Sequence, residues 1–287
     1  ADAAVVISWG ETVILATVAT KPTLEATDHF PLSVEFVEKY YAGGRISSSK
    51  FIKRENRPSE EAILTGRLID RSIRPLFPKD FRCEVQVILT VLSIDESNDP
   101  DIIGLIGASA ALSISSIPWN GPLGASRVGA KDSQFVVNPT ISEMEHLEVD
   151  LFIASTKDAV VMIEAGAKEV SEEVVYQGIE QAHQNSQAVI TLINDFAKEV
   201  GRIKQTYSTV AEDLEEALLK EVKKLAHERI EAALFDKEHA WHEATGEMIK
   251  EELAQKYADV LTPQIVAGIF DKVAKEIMNE AVLEKGI

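Results

Sequence analysis

VQVILTVLSI (Val85–Ile94) and, after a short polar turn, IIGLIGASAALSI (Ile102–Ile114) are the two segments that decide the fold. The first is a nearly continuous apolar, β-branched run of strand length, which reads as a largely buried strand. The second is long enough for a helix and is apolar on most sides, and Gly104, Gly107, Ala108, Ala110 and Ala111 permit close approach. A helix with no polar face needs a layer on each side. The pair therefore predicts an α+β core with this helix sandwiched between layers.

Working outward, Val5–Ser8 and Val13–Val18 flank Trp9-Gly10-Glu11-Thr12, a strand, turn, strand pattern. Phe30–Val37 alternates apolar and polar residues and reads as another strand. Tyr40–Arg57 is rich in Gly, Ser and basic residues, has no period, and reads as a long loop of the kind that carries function. Ser59 is a good N-cap for a helix with Glu60 and Glu61 in its first turn, and Pro75 predicts its stop at Arg74. Further on, Phe135–Val137, Val149–Ala154 and Val160–Ile163 read as strands, and Ser171 opens a long helix to about Val200. From Asp213 to Leu283 the sequence is Ala, Leu, Glu and Lys at helical spacing. The expected organisation is a mixed core over 1–205 and an all-α bundle over 206–287.

Charge is unevenly spread. The chain carries −18 overall, which argues against polyanion binding, yet Lys39–Arg82 holds eleven basic against five acidic residues. Such a local basic stretch focuses polyanions at one place. Within it, Arg67, Arg71 and Arg74 fall at i, i+4 and i+7 and so share a helical face, with Leu68, Ile69 and Ile73 in the core-facing sector and Asp70 pointing to another side. Guanidinium groups suit phosphate because their planar fork donates paired hydrogen bonds. Ser47-Ser48-Ser49-Lys50-Phe51-Ile52-Lys53-Arg54 sets an aromatic ring among hydroxyls and cations, a composition suited to single-stranded RNA. Ion pairing for the arginines, and a packing anchor for Phe51, are the blander readings.

Three stretches within the basic segment also carry a family resemblance: Tyr41–Ile46, Phe51–Glu60 and Arg67–Phe77. With Asn98–Asp101, Gly107–Leu112, Trp119–Pro122 and Arg127–Gly129, they closely resemble polynucleotide phosphorylase. The resemblance implies an RNase PH-like core (ribosomal protein S5 domain 2-like), a homotrimeric ring and processive 3′→5′ phosphorolysis of RNA. It implies that Arg45, Phe51, Lys53, Arg54, Arg57, Arg67, Arg71 and Arg74 line the RNA path, and that proteins of the RNA-degradation machinery are partners. Phosphate and Mg²⁺ are expected to bind mainly in a second core outside this chain, so no catalytic residue is assigned here. The chain opens on Ala1 already in strand pattern and reads as an excerpt; an RNA-guiding, noncatalytic ring subunit is the alternative.

Other chemistries find little support. The six histidines are scattered, and His239 and His242 lack a third metal ligand at a recognised spacing. Asp99 and Asp101 read as turn and cap residues. Ser109 lies in what reads as a packed helix rather than a phosphate cradle. The uncharged run Ile102–Ser126 is broken by serines and prolines and is not a membrane span. A single cysteine, Cys83, excludes an internal disulfide and fits a reducing, cytoplasmic compartment.

Overall fold

The computed structural model describes residues 1–22, 29–45, 57–79, 81–95, 97–131, 134–205, 219–220, 222–224, 227, 229, 243–256 and 263–285. Contacts divide the chain into two units, 1–207 and 208–287.

In the first unit, strands β1 (Ala3–Trp9), β2 (Thr12–Lys21), β3 (Leu32–Val37) and β4 (Glu84–Ser93) form a sheet in the order β1-β2-β4-β3. The β1/β2 hairpin turns at Gly10, whose φ of 59° is the left-handed conformation that glycine adopts without strain. Along β2, Thr12, Ile14, Ala16 and Val18 are buried at every second position, the period-2 pattern of a strand with one core face. β3 pairs parallel to β4, which demands a crossover, and helix α1 (Glu60–Ile73) supplies it. Ser59 caps α1 by accepting from the Ala62 amide at 2.9 Å, and Arg74 is the C-cap.

Helix α2 (Pro100–Ile114) packs on β1, β2 and β4 on one side and on β5 (Gly124–Lys131) and α4 (Glu172–Val200) on the other. Its sandwiched position explains its unpatterned apolarity. A Cβ at Gly107 would sit 3.0 Å from Ile7 and 3.2 Å from Ala16, so the helix lies flush on the sheet. The second sheet runs β6 (Gln134–Val137), β5, β7 (Val149–Ser155), β8 (Val160–Ala167), antiparallel throughout, with a short helix α3 (Ile141–Met144) leading into β7. Val128, Ala130, Leu151 and Ile153 bury against Ala182 of α4.

The second unit contains α5 (Glu243–Lys256) and α6 (Pro263–Glu280). Ile249 and Leu253 of α5 pack with Val266, Ile269, Phe270, Val273 and Ile277 of α6 and with Val222. Lys250 of α5 bridges to Asp271 of α6 at 3.2 Å. No helix among the described residues is long and apolar enough to cross a membrane.

Candidate nucleic-acid interface

α1 buries Leu68, Ile69 and Ile73 and leaves Ile63, Leu64, Arg67 and Arg71 outward. It also lies close on β3, because Gly66 brings the helix to 3.2 Å between a Cβ position and the Val34 carbonyl oxygen. Along this junction runs an open cleft of about 1650 Å³. Its walls are β3, the first three turns of α1, the 3-10 turn Tyr40–Gly43, and Glu164 of β8. Arg45, Arg57, Arg67 and Arg71 all line it. Four of the eight residues singled out in the sequence thus converge. Phe51, Lys53 and Arg54 lie outside the described residues, while Arg45 and Arg57, which bracket their segment, both reach the cleft.

Arg74 is set apart. It does not line the cleft, and its guanidinium makes four hydrogen bonds: Nε and Nη2 to Asp70, each at 2.6 Å, Nη1 to the Phe30 carbonyl at 3.0 Å, and Nη2 to the Leu32 carbonyl at 3.2 Å. It also sits 5.6 Å over the Phe30 ring. Two expectations are corrected here. Asp70 does not point away from the arginines but grips Arg74 one turn on, because a long guanidinium side chain reaches back across an i, i+4 spacing. Arg74 itself braces the end of α1 against the lead-in to β3 instead of joining a three-arginine face.

Among the described residues that line the cleft, charge is balanced. Lys39 joins the four arginines, and Glu35, Glu38, Glu61, Asp70 and Glu164 oppose them. Most of these carboxylates are engaged: Glu38 accepts from Ser59 at 2.7 Å, Glu35 from Gln86 at 3.3 Å, Asp70 from Arg74, and Glu164 from Arg71. Among the described residues, no carboxylate lies within ion-pair reach of Lys39, Arg45, Arg57 or Arg67. The cleft therefore presents open cations rather than a positive field. Glu35, Glu38 and Glu164 escaped sequence reading; Glu164 is 93 residues from its partner and only tertiary folding unites them.

A second charged cluster lies at the start of α2. Asp99 caps the helix, accepting from the Asp101 amide at 3.2 Å, and Arg127 of β5 bonds to Asp99 and to both oxygens of Asp150, at 2.7 and 2.8 Å. Asp101 Oδ2 stands 3.5 Å from Arg127, and Asp101 Oδ1 has no hydrogen-bond partner. Burial, with the Asp99 charge beside it, pushes the Asp101 carboxyl up, whereas the Asp150 hydrogen bonds raise the Arg127 guanidinium further. A guanidinium fills the space among these carboxylates, and no set of three or more His, Cys, Asp or Glu among the described residues could hold a metal ion. Mg²⁺ does not fit this cluster. Ser109 is fully buried in α2 and accepts from the Leu123 amide at 2.8 Å, a packing role.

Comparison with known proteins bears on the same regions. Residues 1–118 match the 3′ exoribonuclease family, domain 1, and residues 121–185 match the same family, domain 2. The chain is 40% identical over its whole length to a polyribonucleotide nucleotidyltransferase of Dehalococcoides mccartyi strain 195, covering 40% of that protein. It is 39% identical, again over its whole length, to the enzyme of the same name from Thermomicrobium roseum, covering 38% of it. Over 77% of the chain it is 49% identical to that of Maricaulis maris, covering 31%. The chain thus spans about two-fifths of the length of the relatives it matches end to end. Among solved structures, the Archaeoglobus fulgidus exosome with RNA bound to the active site superposes with a TM-score of 0.52 at 17% identity, covering 68% of this chain and 84% of that one. That likeness concerns the fold.

Proposed function

Since the chain belongs to the 3′ exoribonuclease family, and within it matches the first core of the polyribonucleotide nucleotidyltransferases, we propose that it forms the RNA-guiding part of a phosphorolytic 3′→5′ exoribonuclease. The observation that carries this reading is the cleft beside α1, where Arg45, Arg57, Arg67 and Arg71 converge. Single-stranded RNA would pass along it, phosphates meeting guanidinium forks and bases meeting Ile63, Leu64 and the ring of Phe51. Lys53 and Arg54 would add cations from the segment whose two ends, Arg45 and Arg57, stand on the cleft wall.

In this reading the whole enzyme is a homotrimeric ring acting in cytoplasmic mRNA turnover, alongside other RNA-degradation proteins. The unit 208–287 serves as an all-α linker. Inorganic phosphate and Mg²⁺ act in the part of such enzymes that this chain does not span. Phosphate is itself the nucleophile, so the work of the protein is positioning and charge neutralisation, and the residues of this chain do the positioning.

The test is binding of labelled single-stranded oligoadenylate to the chain over a range of salt concentrations. Arg67→Ala is expected to weaken binding several-fold and to flatten the dependence of log K on log salt by about 0.7. An unchanged affinity in a folded variant overturns the RNA path. The chain by itself is expected to release no nucleoside diphosphate from poly(A) with phosphate and Mg²⁺, and sustained release would place a working site within it.

A further inference from the structure

Three arginines one or two turns apart on α1 stand in three different states. Arg74 is tied down by four hydrogen bonds, and Arg67 has no carboxylate within ion-pair reach among the described residues. Arg71 lies between these extremes, held by one carboxylate, Glu164, which comes from the edge strand of the other sheet. Both side chains of that pair are more than half exposed, at 57% and 52%, and both line the cleft. Water, ions and a ligand can reach the pair.

We infer that Glu164 is a built-in competitor for RNA phosphate at Arg71, so that RNA engages this arginine by exchange rather than by addition. The inference rests on the RNA-path reading above. A carboxylate and a phosphodiester present the same chemistry to a guanidinium: one negative charge and two oxygens that accept parallel N–H bonds. Binding a phosphate at Arg71 displaces Glu164 and leaves its charge on the wall of a cleft that now holds a polyanion. Each such exchange costs affinity and releases fewer counterions than a contact with an open arginine. Glu164 therefore loosens the grip at one step of the path, a useful property where a strand must advance rather than stay bound. Glu164 acts through Arg71 as a tuning residue and takes no part in the chemistry.

An exposed pair of this kind shifts an equilibrium by about 1.5- to 5-fold. In the full chain, Glu164→Gln is expected to bind labelled single-stranded oligoadenylate tighter by about that factor, with a salt dependence steeper by up to about 0.7. Arg71→Gln is expected to bind more weakly, and adding Glu164→Gln to it should bring a clearly smaller gain, because only the repulsion of a nearby charge is then removed. An unchanged or weaker affinity of Glu164→Gln, with its thermal melt intact, overturns the exchange. So does an equal gain in the Arg71→Gln background, which would make Glu164 only one more negative charge near RNA. Glu164→Thr, suited to a strand, takes the place of Gln if the first variant folds poorly. Failure of the two readings is separable: loss of affinity in Arg67→Ala with no response to Glu164→Gln sinks the exchange alone, whereas an unresponsive Arg67→Ala sinks the path.

Discussion

Arg74→Met keeps an unbranched stem and removes the guanidinium at the point where α1 ends and the chain turns towards Trp119. Four hydrogen bonds disappear, two to Asp70 and two to the carbonyls of Phe30 and Leu32. The Arg74 side chain is 39% exposed and that of Asp70 22%, so the ion pair is partly screened and contributes about 0.5 kcal/mol as an i, i+4 pair. The two carbonyl bonds cross between elements far apart in sequence and are worth about 1 kcal/mol each, less what water recovers. The cation above the Phe30 ring adds about 0.5 kcal/mol. After discounting for water, the expected loss is about 2 kcal/mol, which for a unit of this size lowers a urea midpoint by about 1 M.

Trp119 is a local probe for that measurement: its indole N–H donates to the Ile73 carbonyl at 3.0 Å and its ring lies 6.4 Å from Phe77. Oligoadenylate affinity of the folded variant should stay within about twofold of wild type, since this guanidinium is already occupied by Asp70 and two carbonyls. The opposite pair of results, an unmoved urea midpoint with affinity lost as in Arg67→Ala, would refute the brace and return Arg74 to the RNA path.

Three further substitutions probe the scaffold. In Gly124→Ala the new methyl would lie 2.7 Å from the Ser186 carbonyl oxygen and 2.9 Å from its Cβ, so β5 and α4 must part; a loss of about 2 kcal/mol by urea denaturation is expected. Burial pushes the Asp101 carboxyl up, so between its unfolded value and that raised value the folded state holds more protons and stability falls as pH rises; Asp101→Asn should be the more stable protein at pH 7 and lose that advantage towards pH 4. Burial lowers the Lys204 amine to about 8 while it donates to the Leu112 and Ser115 carbonyls, so from pH 8 to about 10 the unfolded chain holds more protons and wild type should gain stability over Lys204→Met; a flat difference across that window would contradict the assignment.

Periodicity made most elements of the first unit legible. β2, β3, β4, β7 and β8 declare themselves by alternation or by β-branched runs, and Ser59 and Pro75 bound α1 by cap and backbone chemistry. β5 was read only as a motif, and the reason is physical. GASRVGAK is buried along nearly its whole length, so it has no polar face to alternate. Its small residues exist to admit neighbours: Ser186 at Gly124, Leu147 at Gly129. The site divides along the same line. That Arg45, Arg57, Arg67 and Arg71 share a surface follows from their nearness in sequence. Helical spacing fixes where a Cβ points, however, and not where a guanidinium ends, which is why Arg74 and Asp70 were misplaced. Glu164 and the Arg127 cluster needed the second sheet to be folded against the first.

The balanced charge among the described residues of the cleft changes what its affinity can rest on. A segment carrying +6 suggests long-range attraction, but folding brings β3 and β8 carboxylates to the same walls, in a chain of net charge −18. Steering by the field of these residues alone is then weak, and discrimination among them falls to individual guanidinium groups and to stacking. Such a surface holds a strand by several separate, partly compensated contacts, none of which dominates. On the proposed RNA path, an extended single strand would satisfy Arg45, Arg57 and Arg67 in succession and exchange Glu164 at Arg71, whereas a lone nucleotide or inorganic phosphate would gain one contact and meet the same carboxylates. On that proposed path, these acidic residues lower the gain from any single contact and so favour a polymer over a lone phosphate.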